Sequence, residues 1–365
     1  MMFAEGLKGI VAAQTLISHI DGKEGRLIYR GYEIGKLTRG YSFEEVAYLL
    51  WHGRLPSQDE VNKLERKLNE NRCLTPYLME LIKLLPKTMD MMSVLRTAIS
   101  SEGTLEYCWK PTIDQAVKLT AIVPTIIAYR QSILKDQMFI EPREDLSHVE
   151  NFLYMITGSI PSKLVVSALE TYMILTLEHG MNASAFSARV TASTESDMVS
   201  AITSAIGTMK GPLHGGAPSG VIQLLNEIGT PKNADKVIRE KLLHGEKLMG
   251  FGHRVYKTHD PRAISLKDKL LEAREEDGWL DLAMHVEKVA IRILNELKPG
   301  RNLYTNVEFY AAAIMKSINL DLELFTPTFT ASRIVGWTAH VLEQAENNTI
   351  FRPRAEYIGE IRGGV

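Results

Sequence analysis

The stretch SQDEVNKLERKL, residues 57–68, carries the reading of the fold. Ser57 with Glu60 three residues later is the reciprocal capping pattern that opens a helix. Val61, Leu64 and Leu68 then recur three and four residues apart, so they share one face of a 3.6-residue helix and leave the Lys, Glu and Arg between them to water. The same period extends in both directions. Upstream, Ser42 and Glu45 form a second capping box. Downstream, stripes run through Val165-Ala168-Leu169-Tyr172-Met173, Val199-Ile202-Ala205-Ile206 and Val286-Val289-Ala290-Ile293-Leu294. The best strand-like sequence lies near the N-terminus, where residues 15–20 and 26–30 flank Asp21-Gly22-Lys23-Glu24-Gly25 and predict a hairpin around an Asp-Gly turn. The chain reads as all-α with one short N-terminal β-hairpin.

Composition narrows the function. Of 365 residues, 45% are hydrophobic and 24% charged, an ordinary globular balance. The formal net charge of −2 gives no overall pull toward nucleic acid or an anionic membrane, so an anionic ligand must be held by local Arg, Lys and His. The longest nearly apolar run, Leu119 to Tyr129, is too short to span a bilayer, and the N-terminal residues lack the pattern of a signal or transit peptide. The expected address is cytoplasmic. Cys73 and Cys108 form neither a disulfide framework nor a metal-binding spacing. Lys and Glu concentrate between residues 226 and 281, which reads as a smaller, more solvated lobe inserted into an apolar helical body.

Five segments gather His, Arg and carboxylates beside Gly, Pro or Asn, at helix junctions. In EHGMNAS (178–184), His179 sits at a helix break, either as a structural hydrogen-bonding group or as a ligand-binding one. In GPLHGGAPS (211–219), glycines around His214 allow close approach, and a helix starting after Gly216 would keep the imidazole neutral through its dipole. A Gly-rich turn with an incidental His is the plain alternative. GFGHRVYKTHDPRA (250–263) lacks the glycines of either phosphate loop. It offers His253 and Arg254, then Asp260-Pro261 as N-cap and first residue of a helix whose first turn carries Arg262. A cation there calls for an anionic ligand. In LYTNVEFYAAAIM (303–315), Asn306 caps a helix and Glu308 follows in its first turn, either as a stabilising carboxylate or as a general base with its pKa raised by apolar neighbours. Finally, Arg333 lies in the apolar FTPTFTASRIVGW (325–337), and Arg352 and Arg354 flank a proline in FRPRAEYIG (351–359). Metal-ligand spacings and a nucleophile elbow are both absent, so no metal or cofactor is expected. Acid–base chemistry on a small polycarboxylate remains, with Arg for recognition and His for polarising carbonyls.

With GPLHGGA, GFGHRVYK..DPRA, NVEFY, ASR.VGW and RPRA.Y.G in order over nearly the whole length, the chain resembles the citrate synthase family. That resemblance implies an all-α fold with a large domain (1–218 and 325–365) interrupted by a small one (219–324), and a homodimer of the shorter type. It implies condensation of acetyl-CoA with oxaloacetate through an enolate and citryl-CoA. His214, His253 and Glu308 would be catalytic; His179, Arg262, Arg333 and, from across the dimer, Arg352 would bind oxaloacetate. Leu248, Met249, Gly250 and Asn306 would hold the CoA arm and thioester, with Lys257 and Arg301 on its phosphates. Glu308 stands where the family usually has Asp, one methylene shorter. The neighbouring expectations are a 2-methylcitrate synthase using propionyl-CoA, a non-catalytic relative that binds oxaloacetate or CoA, and a citryl-CoA lyase.

Overall fold

The computed structural model describes residues 3–215, 218–253, 255–272 and 278–362. Its helices, in chain order, are α1 (Ile34–Gly40), α2 (Phe43–His52), α3 (Gln58–Asn71), α4 (Pro76–Leu84), α5 (Met91–Ser100), α6 (Ile113–Leu134), α7 (His148–Thr157), α8 (Lys163–Thr176), α9 (Ala183–Ser193), α10 (Met198–Met209), α11 (Pro218–Ile228), α12 (Ala234–Leu243), α13 (Pro261–Glu272), α14 (Gly278–Leu297), α15 (Val307–Ser317) and α16 (Phe325–Glu346). Both capping boxes form: Glu45 reaches back to the Ser42 N–H, and Glu60 to the Ser57 N–H and hydroxyl. Val61, Leu64 and Leu68 are the buried face of α3, as their spacing requires.

Two helices organise the core. The apolar run Leu119 to Tyr129 lies inside α6, buried throughout. α16 is buried on nearly all sides because it packs against α2, α5, α6, α8, α9 and α10. No described helix is long and apolar enough to cross a membrane. Helices α11 to α15 form a second group that packs chiefly on itself, with α13 and α15 leaning on α8 and α13 on α1. It contains the charged stretch read from the sequence, and the loops between its helices carry half of the site.

The N-terminal sheet differs in detail from the expected hairpin. β1 (Ser18–Asp21) pairs antiparallel with β2 (Arg26–Tyr29), Asp21 opposite Arg26, and a two-residue β3 (Tyr32–Glu33) adds beyond β2. The first strand starts at Ser18, not Thr15, because the Leu16 N–H is taken by the Glu343 carboxylate of α16. The connection is a four-residue loop rather than a tight Asp-Gly turn; Asp21 Oδ1 accepts from the N–H of Lys23 and Glu24. That loop buttresses the site: Gly22 O accepts from Lys257 N (2.7 Å), and a Cβ on Gly22 would stand 2.3 Å from Val255 O.

Candidate active site

The Gly250–Ala263 segment is a connection held open by backbone pairing. Phe251 bridges Thr305, Gly252 N donates to Tyr304 O (2.7 Å), and Asn306 N donates to Gly250 O (2.9 Å). Gly250 has φ +84°, and a Cβ there would lie 2.9 Å from the Phe309 ring, so only glycine fits. Asn306 closes the pairing from its side chain: Nδ2 donates to Gly252 O (3.0 Å), while Oδ1 accepts from Glu308 N (3.0 Å) and caps α15 as the sequence predicts.

This pairing sets His253 beside Arg262. Nδ1 of His253 accepts from the N–H groups of Val255 and Tyr256, both at 3.1 Å, so the ring proton belongs on Nε2. Nε2 lies 3.4 Å from an Arg262 terminal nitrogen, which is itself only a donor. Two donors facing one another at that spacing are both available to a third group, an acceptor. Burial, then the Arg262 charge, lowers the His253 pKa to about 4, so the ring is neutral at physiological pH.

Arg262 has an internal partner that the sequence reading did not assign. Asp260, the α13 cap, receives Arg262 Nε (3.0 Å), one terminal nitrogen (2.8 Å) and its backbone N–H (3.0 Å), and a fourth hydrogen bond to its carboxylate comes from Val307 N (3.1 Å). Both side chains are buried. Burial pushes the Asp260 pKa up, but Arg262 overcomes it and holds the carboxylate ionised. The expected need for an anionic ligand is thus met in part from within. One edge of the guanidinium is committed to Asp260, and the Val307 contact ties that pair to the first turn of α15.

His179, at the α8–α9 corner, meets Tyr256 Oη through Nε2 at 3.2 Å, and its ring stands edge-on to His253 with centroids 5.4 Å apart. Burial first, then Arg262, His253 and Arg333, drives its pKa well below the ordinary value. Arg333, buried in α16, donates Nε to Thr176 O (2.6 Å) and stacks over Phe329, centroid distance 4.8 Å. Among the described residues no carboxylate pairs with it within 4.0 Å. Burial lowers its pKa, and the positive charge of Arg262 adds to that. Two buried guanidiniums therefore face one region, and one lacks a salt-bridge partner.

His214 reaches the same region from the α10–α11 connection. Its Nε2 lies 2.7 Å from Ser184 Oγ, which also accepts from Trp337 Nε1 (3.0 Å) and sits 2.8 Å from Asn182 Oδ1. The His214 pKa falls to about 4, first through burial and then through Arg333. Neutrality was expected from the dipole of a following helix. α11 does begin at Pro218, but desolvation and a buried cation suffice. Gly216 and Arg254 lie outside the described residues.

Glu308 completes the set. It is half-buried in the first turn of α15, and burial raises its carboxyl pKa to about 7 against the opposing charge of Arg262. Among the described residues its carboxylate forms no ion pair. Of the other predicted residues, Leu248 and Gly250 are buried and Met249 half-buried; a Cβ on Gly220 would press 2.8 Å against Met249 Cγ. Lys257 and Arg301 are exposed. Arg352 is exposed in the irregular segment after α16 and takes no part in the cluster within this chain. Ser184, Trp337, Tyr256 and Asp260 belong to the site and were not assigned to it from sequence. Ser184 falls inside the quoted EHGMNAS segment, but its tie to His214 spans 30 residues and has no local signal.

An all-α frame thus brings together three neutral imidazoles, two buried arginines and a carboxyl group of raised pKa, a set of groups suited to acid–base chemistry. The citrate synthase C-terminal domain family model matches residues 6–354. Citrate synthase 2 of Bacillus subtilis is 43% identical, with 98% of this chain and 96% of that protein covered. A 2-methylcitrate synthase of Mycobacterium tuberculosis is 38% identical, covering 97% and 90%. The ternary complex of citrate synthase from the archaeon Thermoplasma acidophilum with carboxymethyl coenzyme A and oxaloacetate superposes with a TM-score of 0.91 at 30% identity, covering 100% and 98%. The chain belongs to the citrate synthase family and is an enzyme that condenses an acyl-CoA.

Proposed function

We propose that this enzyme condenses acetyl-CoA with oxaloacetate and hydrolyses the resulting citryl-CoA to citrate and CoA. The observation that carries the reading is the pair of buried guanidiniums, Arg262 and Arg333, whose charges both act on neutral His179, with Arg262 beside neutral His253. Arg262 uses one edge on Asp260 and Arg333 gives only Nε to Thr176 O, so each keeps N–H groups suited to bidentate binding of a carboxylate. In this assignment the oxaloacetate carboxylates take Arg262, Arg333 and His179, with Arg352 of a second copy completing the pocket in a homodimer. The exposure of Arg352 is consistent with that role.

Glu308 removes a methyl proton from the thioester. A carboxyl group near pKa 7 is far better matched to a weak carbon acid than an ordinary one. His214, neutral and anchored through Nε2 to Ser184 Oγ, polarises the oxygen of the forming enolate, a task suited to a neutral imidazole. The enolate attacks the ketone carbon while His253 Nε2 gives its proton to the ketone oxygen. The Val255 and Tyr256 N–H groups at Nδ1 stabilise the ring left behind. Leu248 to Gly250 and Asn306 line the thioester arm, and exposed Lys257 and Arg301 suit CoA phosphates. The lobe 219–324 closes over the substrates and excludes water until condensation is complete. The working address is the cytoplasm.

Comparison of kcat/KM for acetyl- and propionyl-CoA, each with saturating oxaloacetate, tests the substrate assignment. One methylene is worth about 1–3 kcal/mol in a pocket. Acetyl-CoA is expected to be preferred; a clear propionyl preference transfers the assignment to 2-methylcitrate synthesis, which the mycobacterial relative makes the competing reading.

A further inference from the structure

Behind the arginines lies a buried ionisable chain that the proposed chemistry does not use. Glu178, fully buried, precedes His179. Its Oε1 accepts from Ser18 Oγ (2.9 Å) and lies 3.1 Å from His340 Nε2, while Oε2 has no hydrogen-bond partner among the described residues. The other nitrogen of the fully buried His340, Nδ1, lies 2.9 Å from Arg189 Nε, which can only donate. Nδ1 must therefore be bare, Nε2 must carry the proton, and His340 is a neutral donor to an ionised Glu178. Arg189 is held in turn by Gln344 Oε1 (3.1 Å) and by Glu343 Oε2, and Glu343 Oε1 accepts from Leu16 N (2.8 Å).

A fully buried carboxylate with only a neutral imidazole and a hydroxyl as partners requires a cation nearby. Arg333 is the one its position selects. Arg333 binds Thr176 O, two residues before Glu178, and Gly336 on the same face of α16 lies so close that a Cβ there would stand 2.7 Å from Glu178 Oε2. The carboxylate thus rests on the helix turn that follows Arg333 without forming a salt bridge to it.

We propose that Glu178 is a positioning residue, the buried counter-charge of Arg333. It offsets the guanidinium across more than salt-bridge distance, so Arg333 stays charged inside the core with its terminal nitrogens unclaimed and available to a substrate carboxylate. The His340–Arg189–Glu343 chain fixes the ionisation and direction of Glu178 and ties them to the Leu16–Ser18 segment. This deepens the dicarboxylate reading of the site and rests on it for the use to which Arg333 is put.

The charge pairing is tested without substrate, by thermal melting of the full-length wild type, Glu178→Gln, Arg333→Met and the double variant. Removing one partner of a buried pair leaves an uncompensated charge, whereas removing both does not. Glu178→Gln should melt lower by on the order of 5 °C, and adding Arg333→Met should recover most of that loss although activity is gone. A double variant that melts at the sum of the two single effects, or that fails to fold along with Glu178→Gln, overturns the proposal. Failure of the wild type to use oxaloacetate would refute the functional reading and leave the melting result standing on its own.

Discussion

With Glu308 as the proposed base, its raised pKa sets the expected pH dependence of the reaction. The carboxyl acts as a base only when ionised, and its pKa of about 7 places the titration within the working range. The ionised fraction is then about 0.09 at pH 6 and about 0.91 at pH 8, a roughly tenfold rise in kcat/KM for acetyl-CoA. A raised carboxyl pKa means activity climbs as pH increases through that value and falls on acidification. His214 and His253, with pKa values of about 4, stay neutral throughout this window and add no second limb. Oxaloacetate on Arg262 would weaken the one large influence that lowers the Glu308 pKa, so the midpoint at saturating oxaloacetate should lie at or above 7. The assay is initial-rate CoA release at saturating oxaloacetate between pH 5.5 and 8.5, at about constant ionic strength. A profile flat from pH 5.5 upward would show that Glu308 titrates as an ordinary carboxylate, and would refute the argument from burial.

Two substitutions separate the roles within the site. Glu308→Gln should cut kcat by about 10²- to 10⁴-fold, the usual contribution of a general base, while oxaloacetate affinity measured by calorimetry stays within about twofold, since Arg262 and Arg333 are untouched; lost oxaloacetate binding would make the residue structural. Ser184→Ala removes the anchor of His214 Nε2 and a Trp337 contact, and should lower kcat by about 10- to 100-fold through misplacement of the ring, again with little change in oxaloacetate affinity. An unchanged kcat would mean that Ser184 does not orient His214.

Much of the fold was legible because it is built from local rules. The Ser42–Glu45 and Ser57–Glu60 boxes and the α3, α8, α10 and α14 stripes are short-range patterns, and the helices formed where those patterns lie. Asn306 and Asp260-Pro261 are equally readable as helix starts, and they place Glu308 and Arg262 in first turns. What could not be read was pairing across the chain. The Ser184–His214 contact, the Tyr256–His179 contact and the buried chain from Ser18 through Glu178 and His340 to Arg189 each join segments far apart in sequence. The bidentate Asp260–Arg262 pair is local, but a cap and a cation two residues apart do not reveal that the side chains turn toward each other. The first strand was read too long for the same reason: a carboxylate from α16 claims the Leu16 N–H.

Glu308 is the carboxylate on which the proposed proton abstraction rests. Its backbone is fixed by the Asn306 cap and by the Val307–Asp260 bond, so the carboxylate is carried on a rigid first turn. The direct measurement is CoA release by the purified wild-type enzyme from acetyl-CoA, with and without oxaloacetate. The account predicts sustained CoA release that depends on oxaloacetate, with citrate formed in equal amount. Oxaloacetate binding without any oxaloacetate-dependent CoA release would contradict it.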